Sequence, residues 1–101
     1  MNIQFVYTRL AALRQPLSPE LIVLERLQYQ LIQAEHVVAN LRPELEALLV
    51  YGPQPCLPVH VFVGYGGRYF SWQNAEKRHP VDDIGGAAEV LAAYVRRDEA
   101  P

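Results

Sequence analysis

The sequence predicts an α+β fold: a long N-terminal helix preceded by a short one, then a β-hairpin, then a C-terminal helix. Three observations carry this expectation. Apolar residues recur at alternating spacings of three and four from Leu24 to Leu48, the period of a helix that packs along its length. The run Leu57–Val63 is dense in β-branched and aromatic residues, and a glycine-rich turn separates it from a second aromatic run. From Ile84 the helical period returns.

Residues 2–14 put Ile3, Val6, Leu10 and Leu13 on one helical face, with Arg9 and Arg14 off it. Pro16 and Pro19 interrupt any continuous rod, so this short helix is expected to turn back onto the next through Gln15–Ser18. Ser18 can cap the long helix, Pro19 suits its first position, and Glu20 sits well against the positive end of its dipole. The helix is then expected to reach about Leu41. One heptad register holds Leu24, Leu31, Val38 and Leu45, the other Leu27, Ala34, Leu41 and Leu48. Pro43 ends or kinks the helix. Past it the heptad phase favours helix to about Leu49, whereas the β-propensity of ALLVYG from Ala47 favours a strand, and the balance leans to helix.

In residues 57–63, Val59, Val61 and Val63 share one strand face and His60 and Phe62 the other. GYGG at 64–67 supplies the turn. Arg68–Gln73 returns as a second strand, with Phe70 and Trp72 on one face and Tyr69 and Ser71 on the other. A hairpin alone is marginal in water, so helix must cover one face. Asn74–Pro80 reads as a polar loop. Asp82 or Asp83 then caps a helix from Ile84 to about Arg97, with Ile84, Ala88, Leu91 and Val95 as its buried stripe and Arg96 and Arg97 at the negative end of its dipole. Gly85 and Gly86 weaken its first turn, and Asp98–Pro101 is expected to fray.

A chain of 101 residues forms one domain, 1–101. Its net charge of −2 gives no global field toward nucleic acid or an anionic membrane, although Arg68, Lys77 and Arg78 stand against Glu76 alone in a small basic patch. A single cysteine allows no internal disulfide and fits a reducing cytoplasm. No apolar run approaches the roughly 20 residues of a membrane helix, and the first residues lack signal-peptide architecture. The expected location is cytoplasmic, with no membrane contact.

The stretch 56–97 carries Tyr69, Phe70, Ser71 and Trp72, then Ala75, Glu76 and Lys77, then Pro80, Asp83, Ile84, Ala87 and Ala88. In this it resembles small uncharacterised proteins encoded in actinobacteria, in which a β-hairpin ends in an aromatic run with Ser-Trp and leads to an Ala-rich helix. The likeness covers about two-fifths of the chain and implies a hairpin followed by a helix. Some of those proteins look like companions of helix-turn-helix regulators, so the resemblance implies a regulatory role with a transcriptional regulator among the partners.

Candidate chemistry is sparse. Cys56 and His60 on an extended strand stand about 13 Å apart, too far for proton transfer. His36, His60 and His79 show no metal-ligand spacing, and no metal or cofactor is expected. Gly64, Gly66 and Gly67 are followed by a strand and no Lys-Ser/Thr pair, which makes them a turn and not a phosphate loop. Asp82 and Asp83 read as helix caps before paired catalytic acids. Tyr65, Arg68, Tyr69, Lys77 and Arg78 form a possible binding surface, with Trp72 as a further aromatic, in the mixture single-strand binders use. The leucine stripe is longer than a hairpin can cover, which points to a homodimer interface at Leu24, Leu27, Leu31, Ala34, Val38 and Leu41. The expected function is therefore a non-enzymatic protein–protein interaction module. The alternatives are weak nucleic-acid binding at the hairpin tip and basic loop, or a small-ligand pocket around Trp72.

Overall fold

The computed structural model describes residues 18–53, 57–73 and 76–96. The short helix expected over residues 2–14 lies outside them, as do Cys56, Ala75 and the residues expected to fray.

The first described element, α1, spans Pro19–Glu35. The Ser18 hydroxyl accepts the Leu21 N–H at 3.1 Å, with Pro19 in the first turn, as the capping pattern predicts. Leu21, Leu24, Leu27 and Leu31 form its buried stripe. The helix then stops six residues short of the expected end. His36 adopts the left-handed conformation, and the Leu31 carbonyl accepts the Val37 N–H at 3.0 Å. At 17 residues α1 is about 26 Å long.

The chain from Ala39 to Val50 forms a β-hairpin, not a continued helix. β1 is Ala39–Arg42 and β2 is Ala47–Val50, paired antiparallel from Ala39↔Val50 to Arg42↔Ala47. Pro43 opens the short 3-10 turn Pro43–Leu45, which Glu46 closes by donating its N–H to the Pro43 carbonyl at 3.0 Å. The Gln28 side chain donates to the Ala39 carbonyl at 3.0 Å, tying β1 back onto α1.

β3 (Val59–Gly64) and β4 (Tyr69–Trp72) are the anticipated hairpin, in register Phe62↔Ser71, Val63↔Phe70 and Gly64↔Tyr69. Its turn runs through positive φ at Tyr65, Gly66 and Gly67, at 57°, 72° and 86°, and glycine takes the last two without steric cost. The segment anticipated as a polar loop contains a further strand, β5 (Lys77–Pro80), beside β4. The final helix, α2, is Ile84–Arg96. Asp83 caps it, its Oδ1 accepting the Gly86 N–H at 3.2 Å.

The sheet is a five-stranded antiparallel meander in the order β1-β2-β3-β4-β5. Both helices lie on one face. The core joins the α1 leucines to Ala87, Ala88, Leu91, Ala92 and Val95 of α2, and to Leu48, Val50, Val61, Phe70 and Trp72 of the sheet. At the far end, Arg96 donates to the Glu35 carbonyl at 2.6 Å, linking the C-termini of the two helices.

Candidate functional site

Strand alternation sorts side chains between the helix-packed face and the opposite, outer face. Val59, Val61 and Val63 pack with the core, so His60 and Phe62 stand outside; by the same register so do Asn40, Arg42, Leu49, Tyr69, Ser71 and Arg78. One row crosses three strands as Phe62, Ser71 and Arg78. Phe62 is 43% exposed and Arg78 is exposed, whereas Ser71, and Leu49 on β2, are buried.

Three of the residues anticipated as a binding surface come together here. The Arg78 guanidinium carbon lies 4.8 Å from the centre of the Tyr65 ring and 4.9 Å from that of Tyr69. The two tyrosine rings meet edge to face at 5.7 Å. None of the ion pairs among the described residues involves Arg78; those pairs are Arg42 with Glu44, His79 with Asp83, and Arg96 with Glu35. Arg68 lies apart, in a depression of about 450 Å³ that it lines with Tyr69, Pro80 and Asp82. Lys77 pairs across from Trp72, at the edge of the helix-packed face.

His60 and Phe62 belong to the same surface, their rings near-parallel with centres 6.2 Å apart. The alternation in Val59–Gly64 already separated them from the valines, and that was the signal that could have placed them with the tyrosines.

Trp72 does not belong to this surface. It is 2% exposed in the helix-side core, edge to face with Tyr94 at 6.2 Å, and lines neither described depression. Its burial corrects the placing of Trp72 with the basic aromatic cluster.

The expected helical interface is also corrected. Leu24, Leu27 and Leu31 have no exposed surface, because α2 and the sheet of the same chain cover them. Ala34 is exposed near the end of α1, Val38 is 66% exposed in the connection after it, and Leu41 packs on the core from β1. These six residues therefore form no continuous seam.

Two exposed carboxylates, Asp83 and Glu44, have hydrogen-bond partners. A carboxylate can only accept, so His79 Nε2 donates to Asp83 Oδ2 at 2.8 Å. This bond, and then the Gly86 N–H, holds the Asp83 carboxyl below its ordinary range. Glu44 is likewise held low, first by its own backbone N–H and then by Arg42, whose Nε donates at 2.7 Å. Among the described residues no group of three His, Cys, Asp or Glu is placed to hold a metal, and no helix is long and apolar enough to cross a membrane. The chain matches no protein-family model, no curated protein and no solved structure.

Proposed function

We propose that the chain is a non-enzymatic interaction module with an accessory or regulatory role, and that it binds its partner through the outer face of the sheet. The supporting observation is the Tyr65–Arg78–Tyr69 cluster beside exposed Phe62. Arginine and large aromatic residues concentrate binding energy at interfaces. Here Tyr69 and Phe62 stand on strands whose other face is packed, and Arg78 rests against two tyrosine rings, so little side-chain freedom is lost when a partner arrives.

A photo-crosslinking residue at Phe62 tests this, with one at exposed Glu89 on α2 as the control. In host cells, position 62 is expected to give discrete adducts that position 89 does not. Identical adduct patterns at the two positions would sink the proposal.

Self-association is a second reading, favoured by a different part of α1. Ile22, Tyr29 and Ile32 are exposed at spacings of seven and three, which puts them on one side of the helix, away from the buried leucines. Sedimentation at about 100 µM, well above a Kd of about 1 µM, is expected to show a dimer that Tyr29→Glu dissociates with its fold intact. A monomer at that concentration would end this reading.

A further inference from the structure

Resting on the outer face as the binding surface, we infer that its β3–β5 half takes a single-stranded nucleic acid. The sign of the charge comes first. The chain is net −2, yet the five described strands hold no aspartate or glutamate, while they carry Arg42, Lys77 and Arg78. The acids of the described residues lie in helices, turns and connections, so the sheet presents a basic surface on an acidic protein. Arg42 is engaged by Glu44 at one edge, which leaves Arg78 on β5 as the outer face's strand cation with no ion pair among the described residues.

The geometry then favours a ligand that is both anionic and aromatic. Arg78 rests in the corner made by the edge-to-face Tyr65 and Tyr69 rings, which hold its guanidinium from one side, and a guanidinium so held can donate N–H groups to phosphate oxygens. Two strands away in the same row, at about 10 Å, Phe62 offers an exposed ring. A base stacked on Phe62 and a phosphate on Arg78 would use both ends of this row. Bases in a duplex are already stacked and paired, so only an unpaired strand can present them to a flat sheet. A peptide of acidic residues alone would meet Arg78 but has no π-face to match Phe62 and His60. The opposing charge in this corner is Asp82, which shares the depression with Arg68.

Fluorescence anisotropy of the full chain with a labelled oligouridine of about 12 nucleotides tests the inference. If one or two phosphates are neutralised, by Arg78 alone or with Arg68 at the turn, affinity falls roughly 3- to 7-fold between about 50 and 200 mM salt. Phe62→Ala is expected to weaken binding roughly 5- to 150-fold for one stacked base. Arg78→Gln is expected to weaken it and to flatten the salt slope by about 0.7. Circular dichroism keeps the variants comparable, and amide shifts on titration should concentrate at Phe62, Ser71 and Arg78. No saturable binding at about 50 mM salt, or a Phe62→Ala variant that binds like the parent, overturns the inference. So does a poly-glutamate peptide that binds as tightly as the oligonucleotide, although that result leaves the outer face standing as the interaction surface.

Discussion

Leu31 and Val38 occupy the same heptad position one repeat apart, and the structure assigns them opposite fates. Leu31 has no exposed surface, whereas Val38 is 66% exposed in the connection after α1. Leu31→Ala removes three buried carbons, worth about 2.4 kcal/mol in transfer alone at about 0.8 kcal/mol each. The cavity left beneath α2 raises this to about 3–4 kcal/mol. With a urea dependence of about 1–1.5 kcal/mol per molar for a chain of this size, the unfolding midpoint should fall by roughly 2–4 M. Val38→Ala should change stability by less than about 0.5 kcal/mol. Equilibrium urea unfolding by circular dichroism, repeated after a hundredfold dilution, is the assay. Burial within one chain leaves the Leu31→Ala deficit independent of protein concentration. A seam between chains would instead shift stability by about 2.7 kcal/mol over that dilution. A Leu31→Ala loss under about 1 kcal/mol, a Val38→Ala loss equal to it, or a deficit that changes on dilution would refute the reasoning.

Gly52→Ala should cost about 1–3 kcal/mol in a thermal melt, because the added carbon would lie 2.8 Å from the Val95 carbonyl oxygen, which belongs to helix backbone and has nowhere to go. Gly67→Ala, in open space but at φ 86°, should lose about 1–2 kcal/mol through backbone conformation alone. Trp72→Ala should lose about 3–5 kcal/mol, and a loss under about 1 kcal/mol would remove the ring from the core. The depressed carboxyl of Asp83 sets a sign with pH: its contribution is present above the ordinary value of 3.8 and is lost as the pH falls below it, since the unfolded chain takes up the proton first. Asp83→Asn should therefore flatten the acid limb of a urea-midpoint-against-pH profile, and an unchanged limb would refute the role of the His79 bond.

Elements whose local chemistry agreed with their final packing were legible in the residues. Ser18 and Pro19 marked the start of α1, the valines of β3 and the aromatics of β4 alternated, and Asp83 capped α2 at Ile84 despite the glycines that follow. The β1–β2 hairpin was hidden by a coincidence of period. Leu41 and Leu48 lie opposite each other across that hairpin, seven residues apart, and so fall in step with a heptad. Pro43, read as a kink in a helix, is instead the first residue of the turn, and the β-propensity from Ala47 was the sounder signal. β5 was missed because Lys77, Arg78, His79 and Pro80 contain no strand-forming residue; an edge strand protected by charge and proline reads as a loop. Of the candidate surface, Tyr65, Tyr69 and Arg78 were visible by type. Their meeting depends on β5 lying beside β4, which no local signal announced.

The order of the sheet also bears on how the chain leaves the ribosome. Every strand pairs only with its neighbour in sequence, so the ladder can zip as it is made, while the Arg96–Glu35 bond spans 61 residues. The helix-packed face has to wait for Ala87, Ala88, Leu91, Ala92 and Val95 to be added. At about 5–20 residues per second, roughly 1–5 s pass between synthesis of Trp72 and of Val95. The cover over Phe70 and Trp72 is therefore the last part of the core to be made, and the sheet's pairing cannot depend on it.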